Sequence, residues 1–380
     1  MLDQGTFGCI FRPYISCNNG NGTRKGHGHG HDDRNDDDDG DDDDGNDFVT
    51  KLSVTQNLTF EIQIAEIVKT WPLYYHYFAP IETSCIADMK DLKNQRPEEY
   101  QDCLLTEEST KLTKSAAKSS DINETEFSYG QIRFAGHDNI EHDNNIKIPI
   151  IKDWFEYLSN SLKILKDNGI IHFDLKANNI MIHDIHHMPV IIDFGISINI
   201  HELETENDFS EKFYSYSTDY TPWGPDICLI SYLVSIGRQR YKKKRGLLSS
   251  SSWGSSSWGA DIVQESHIIQ VSNDFIAHPM FQLFTFTDYE KDIFREKLRN
   301  EWSCWINKKM LDTCLGLVKS SFHKWDTFAL CCIFQQINLN QFANGYKGQG
   351  SDTDSKETIE SIESIESIES IESILLNGVL

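Results

Sequence analysis

Between Ile171 and Gly195, two short runs concentrate side chains suited to handling a phosphate. They are His172-Phe173-Asp174-Leu175-Lys176-Ala177-Asn178-Asn179 and Asp193-Phe194-Gly195. Carboxylate and carboxamide oxygens are the donors a hard cation such as Mg2+ accepts, with phosphate oxygens or water completing its shell. A lysine two residues after an aspartate adds a positive charge able to neutralise phosphate. Such a set suits phosphoryl transfer, which needs positioning and charge neutralisation more than covalent help. The bland alternative is a loop carrying two unrelated carboxylates. Eight specified positions (His172, Asp174, Leu175, Lys176, Asn179, Asp193, Phe194 and Gly195) at about 5% usage each make chance occurrence on the order of 10⁻⁸ per chain, which sets that alternative aside.

Each run sits beside a short apolar strand, Ile180-Met181-Ile182 for the first and Val190-Ile191-Ile192 for the second. Upstream, Ile151, Trp154, Phe155, Leu158, Leu162 and Leu165 recur at helical spacing. They predict a helix over 150–168, with Gly169 as its C-terminal stop. A second apolar helix is expected over 57–70, ended by Trp71-Pro72, after order resumes at Phe48-Val49-Thr50-Lys51. Residues 1–16 read as strand–turn–strand, and 17–47 are Gly, Asn, His and Asp, too polar to fold. Residues 88–125 read as a long polar surface insertion. From about 200 to 345 the pattern is mainly helical, interrupted by a Ser/Trp/Gly tract at 249–259. The tail 357–374 repeats Ile-Glu-Ser. A three-residue period drifts by about 60° per repeat around a helix, so its isoleucines form no fixed stripe and disorder or fraying is expected.

The order H-x-D-L-K-x-x-N, then D-F-G, resembles the protein kinases. That resemblance implies an α+β, bilobal fold with a small β-rich N-lobe and a larger α-helical C-lobe, ATP between them and Mg2+ bridging. It implies transfer of the γ-phosphate of ATP to Ser or Thr hydroxyls of protein substrates. In those roles Asp174 orients the hydroxyl and accepts its proton, and Lys176 faces the transferring phosphate. Asn179 and Asp193 ligate Mg2+, while His172, Phe194 and Gly195 support the geometry. Lysine at 176 matches the serine/threonine subclass.

The nucleotide-binding half is less complete. Asp3-Gln4-Gly5-Thr6-Phe7-Gly8 resembles G-x-G-x-F-G with Asp3 in the first glycine's place. Gly5 and Gly8 would let backbone N–H groups approach ATP phosphates. Lys51 matches the strand lysine that grips the inner phosphates. Its helix partner is Glu61 or Glu66, which point about 140° apart on a helix, so one alone can face the lysine. Phe60-Glu61-Ile62, Tyr74, Tyr77-Phe78, Pro80 and Cys85 resemble the divergent kinases of large DNA viruses, a pattern in which Glu61 is the match. The same likeness covers Phe173 where most kinases carry Arg, and Trp223-Gly224-Pro225-Asp226 in place of A-P-E. It extends to Trp325-Asp326-Thr327-Phe328-Ala329-Leu330. There Asp326 would hold the catalytic loop's backbone, with Asp226 as the alternative.

The implied layout is an N-lobe over 1–135, with 18–47 and 88–125 inserted, and a hinge near Phe134-Ala135-Gly136. A C-lobe follows over 136–345, with an insertion within 227–325, and then a low-complexity acidic tail over 346–380. Two rival readings stay open. One is a non-catalytic scaffold, motivated by Asp3, the short first strand and the missing A-P-E. The other is a small-molecule kinase of the same fold. Because Phe173 cannot pair with a phosphate, activity independent of phosphorylation in 196–222 is expected.

Composition sets the wider bounds. The 380 residues are 39% apolar and 25% charged, a globular balance. Of the net charge of −24, residues 32–47 carry −10 and residues 351–380 carry −7, which leaves −7 for the rest. The acidity therefore says little about partners. Nine Cys, with no C-x-x-C pair and no signal peptide, suggest reduced thiols and a soluble, intracellular protein, in host cytoplasm or virion if viral. No apolar run approaches the roughly eighteen residues of a membrane span. The basic run 238–245 lacks an accompanying nucleic-acid fold signature, so nucleic acid is not an expected partner. His27, His29 and His31 read as a solvated linker rather than a metal site.

Overall fold

The structure is a computed structural model, and it describes residues 3–5, 8–15, 48–103, 126–136, 140, 148–247, 258–284 and 286–348. The expectations for 17–47, for the histidines within it and for the 357–374 repeat lie outside these residues. So do those for 104–125 and for 249–257. The chain divides into two compact units, Met1–Ala135 with Ile192–Gly195, and Gly136–Ile191 with Ile196–Leu380. The fold is α+β: the first unit is built on a sheet and the second is mostly helical. Among the described residues no helix is long and apolar enough to cross a membrane.

In the first unit β1 (Asp3–Gly5), β2 (Gly8–Phe11) and β3 (Phe48–Val54) form antiparallel neighbours. Helix α1 (Thr55–Val68), a short α2 (Tyr74–Tyr77), β4 (Phe78–Ala79) and β5 (Ile81–Ile86) follow. Helices α3 (Met89–Gln95) and α4 (Pro97–Asp102) precede β6 (Phe127–Arg133). The five-stranded sheet runs β1-β2-β3-β6-β5, so β3 is central. Its residues Val49 through Ser53 are all buried, which is why the strand does not alternate apolar and polar. The chain passes from β3 into α1 with no intervening loop. Leu58, Glu61, Ala65 and Val68 then recur at three- to four-residue spacing on the buried face of α1.

Within the expected polar insertion, residues 89–102 form two short, mostly exposed helices. Asp88 caps α3 through the N–H groups of Lys90 and Asp91, and Pro97 opens α4. Leu92 and Cys103 pack with Cys9, Phe11, Leu52, Phe127 and Tyr129 in one apolar cluster. Leu92 is the one leucine of the two helices, which leaves no periodicity to read from sequence. The expectation of reduced thiols is corrected: Cys9 on β2 and Cys103 after α4 form a disulfide across 94 residues. That pairing depends on β2 and α4 meeting in space, so no local spacing announces it. Cys228, Cys304, Cys314, Cys331 and Cys332 are free.

The second unit opens with α5 (Ile148–Asp167), which buries Ile151, Trp154, Leu158, Leu162 and Leu165. Strand β7 (Ile170–Ile171) follows, then the hairpin β8 (Ile180–Ile182) and β9 (Pro189–Ile192), with Ile180 opposite Ile191. Strand β10 (Ile198–Asn199) pairs back onto β7, so the segment carrying Asp174 leaves and re-enters one small sheet. The remaining helices are α6 (Glu206–Lys212), α7 (Pro225–Leu247), α8 (Glu265–Phe275), α9 (Met280–Leu283), α10 (Asp288–Trp302) and α11 (Met310–Gly348). Around Trp325–Ile337, α11 is apolar on nearly every face, as a helix at the centre of a bundle must be. Phe334 meets Phe155 of α5 edge-on, with ring centroids 5.2 Å apart.

Candidate active site

In the first unit, Lys51 of β3 is 4% exposed and holds two carboxylates. Its Nζ donates to Glu61 Oε2 at 2.8 Å and to Asp193 Oδ1 at 2.7 Å. Burial by itself would push the ammonium's pKa down, but the charges of Glu61 and Asp193 outweigh it and raise the pKa above the ordinary lysine value. Lys51 therefore stays charged at every physiological pH. Glu66 lies elsewhere on α1 and pairs with Lys69 on the surface. Asp193 takes a left-handed backbone (φ 63°) and its Oδ1 also accepts the Gly195 N–H at 3.2 Å. A Cβ on Gly195 would stand 3.0 Å from that oxygen. Phe194 is buried, edge-on to Phe78 at 6.0 Å.

The glycine turn packs on the same lysine. Gly5 and Gly8 face each other across the β1–β2 turn, whose tip residues Thr6 and Phe7 are outside the described set. A Cβ on Gly8 would come within 2.7 Å of the Leu52 carbonyl and 3.3 Å of the Lys51 side chain. No residue larger than glycine fits there without a shift, so the strand lies directly against Lys51.

In the second unit the catalytic-loop candidates converge on Asp174, itself 5% exposed. Its Oδ2 accepts from Lys176 Nζ at 3.1 Å and from Asn179 Nδ2 at 3.2 Å. Asn179 Nδ2 also donates to the Asp174 carbonyl at 2.8 Å. A 3₁₀ turn over Ala177–Asn179 brings Asn179 back under Asp174.

Asp326 on α11 fastens this loop. Its Oδ2 accepts the His172 N–H at 2.7 Å and its Oδ1 the Phe173 N–H at 3.0 Å. Burial raises its pKa, while the charge of His172 and the two backbone donors pull the other way. Asp226 makes a different contact, accepting from Trp302 Nε1 at 2.8 Å. Phe173 has φ 68°, a conformation that costs a bulky side chain about 1–3 kcal/mol and must be held by its surroundings. Trp223 Nε1 donates to its carbonyl at 3.0 Å, and its ring lies 5.1 Å from Trp223 and 5.3 Å from Phe213. His172 is fully buried, and its carbonyl accepts from Ser197 Oγ at 3.1 Å.

One site neighbour had no sequence signal. The Tyr220 hydroxyl donates to Asp174 Oδ1. The two lie 46 residues apart, and nothing in the spacing around Tyr220 links it to the loop. His278 Nε2, beyond a further helix, reaches the Tyr220 carbonyl at 3.3 Å.

Residues 130–221 match the protein kinase domain family model. A 101-residue stretch is 26% identical to the serine/threonine-protein kinase prpf4B of Dictyostelium discoideum, covering 24% of this chain and 12% of that relative's length. The solved structure of the Cydia pomonella granulovirus kinase PK-1 aligns over 73% of this chain and 85% of its own, at 13% identity and a TM-score of 0.30. The family match spans the Asp174 loop and the Asp193-Phe194-Gly195 turn, about a quarter of the chain, and over that stretch the chain is similar to protein kinase domains.

Proposed function

We propose that the chain is a Mg2+-dependent protein kinase that transfers the γ-phosphate of ATP to serine and threonine hydroxyls of protein substrates. The observation that carries this reading is the Lys51 ammonium, buried and shared between Glu61 and Asp193. A lysine so held offers a fixed positive charge to phosphate oxygens, and the close approach of Gly8 leaves backbone beside it. Lys51, Gly5 and Gly8 would hold the phosphates of ATP. The hard oxygen donors of Asp193 and Asn179 suit Mg2+, which when bound neutralises developing phosphate charge.

Asp174 would orient the acceptor hydroxyl and take its proton. Lys176 beside it would meet the transferred phosphoryl group, and its presence supports serine and threonine acceptors. Asp326, His172 and Phe194 would keep these groups in place without touching substrate.

The test is transfer of γ-labelled phosphate from ATP to casein, with Mg2+ and with EDTA, followed by phosphoamino-acid analysis. Asp174→Asn should lower the rate at least about a hundredfold, the range for loss of a positioned base. Asp193→Ala should abolish Mg2+-dependent turnover in a folded protein. Unchanged rates in both variants would sink the proposal.

A further inference from the structure

We infer that Tyr220 is an acceptor gate, its phenol hydroxyl occupying the hydrogen-bonding position on Asp174 that an incoming substrate hydroxyl needs. This rests on the proposal that Asp174 is the base for phosphoryl transfer. Asp174 Oδ2 is taken by Lys176 and Asn179, so Oδ1 is the oxygen open to an acceptor, and Tyr220 donates to it. With the carboxylate 5% exposed, there is little room for a second hydroxyl beside the phenol.

Tyr220 is built into this position. Trp223 N–H donates to its carbonyl at 3.0 Å and His278 Nε2 meets the same oxygen at 3.3 Å. Its ring stands edge-on to Trp223 at 5.0 Å, and Trp223 in turn is bonded to Phe173 beside Asp174. The backbone is fastened to the helical unit and the side chain is half-buried, so the gate would open by rotation of the phenol about its own side-chain bonds.

A closed gate competes with acceptor. The apparent acceptor affinity falls by the fraction of molecules in which the phenol is out, whereas nucleotide affinity is untouched. Tyr220→Phe removes the hydroxyl and keeps the ring against Trp223. It should lower the KM for casein at least about threefold while leaving the KM for ATP unchanged.

The contact is read separately by O-acetylation of Tyr220 with N-acetylimidazole, mapped by peptide mass in the full chain. Removing the acceptor with Asp174→Ala should speed acetylation of Tyr220 several-fold over wild type. Equal acetylation rates overturn the contact. Faster acetylation together with an unchanged or raised casein KM in Tyr220→Phe overturns the gate, and would make Tyr220 a donor that positions Asp174. Faster acetylation with no transfer to casein by either wild type or Tyr220→Phe overturns the kinase reading, and the gate with it.

Discussion

Lys51 and Glu61 meet at 2.8 Å although one is on a strand and the other two turns into a helix, because β3 ends at Val54 and α1 begins at Thr55. With no loop between them, the seventh residue of α1 swings back over the strand's inner face. Glu66 leaves that face and pairs with Lys69.

The first prediction follows from this junction. Glu61→Gln should lower phosphoryl transfer at least about tenfold, equivalent to 1.4 kcal/mol of barrier, mainly through a raised KM for ATP. Glu66→Gln should change it less than about twofold, since an exposed pair contributes little. Steady-state kinetics on both variants decide the matter, and the reverse ranking would sink the assignment.

The second concerns Phe173, buried between Phe213, Trp223 and Trp325. That cluster holds the loop by packing, where a cation would have held it through a phosphate. Protein treated with phosphatase until 196–222 is unmodified by mass spectrometry should keep its initial rate within about twofold. Phe173→Ala should lower stability by about 3–5 kcal/mol in urea unfolding. A rate loss of tenfold or more on dephosphorylation would point to a cationic receiver elsewhere.

His278 supplies a pH test. It is fully buried, its Nδ1 accepts the Met280 N–H at 3.1 Å, and burial pushes its pKa down from 6.5 to about 4. A protonated Nδ1 would face that N–H donor, so the folded state holds the ring neutral. Below pH 6.5 the unfolded chain binds a proton that the folded one refuses until about pH 4, so stability is full above 6.5 and lost on acidification. The loss should reach about 2 kcal/mol at pH 5 and about 3 kcal/mol near pH 4. His278→Asn should flatten this part of the urea-midpoint profile, and a profile as steep as wild type would contradict the account.

The last prediction concerns the Cys9–Cys103 bond. Closing a loop of 94 residues removes much freedom from the unfolded chain, so Cys9→Ser/Cys103→Ser should destabilise by about 2–4 kcal/mol. Non-reducing peptide mapping should find the cross-linked pair in the wild type. Absence of that peptide, or a variant as stable as wild type, would count against the bond.

What the sequence determined by itself is local. Asp174, Lys176 and Asn179 lie within six residues of one another, so the backbone of one loop brings them together whatever the rest of the chain does. The apolar spacing of Ile151 through Leu165 likewise belongs to one helix. What the tertiary structure decided is long-range. Lys51 meets Asp193 across 142 residues, Asp326 meets His172 across 154, and Tyr220 reaches Asp174 across 46. The resemblance implied Glu61 over Glu66, and the direct β3–α1 junction is what brings Glu61 onto Lys51; pairing Cys9 with Cys103 required α4 to pack under β2. Periodicity and motif spacing record which face a residue occupies on its own element. They carry no information on which element that face meets, because that depends on burial and hydrogen bonding summed over the whole core.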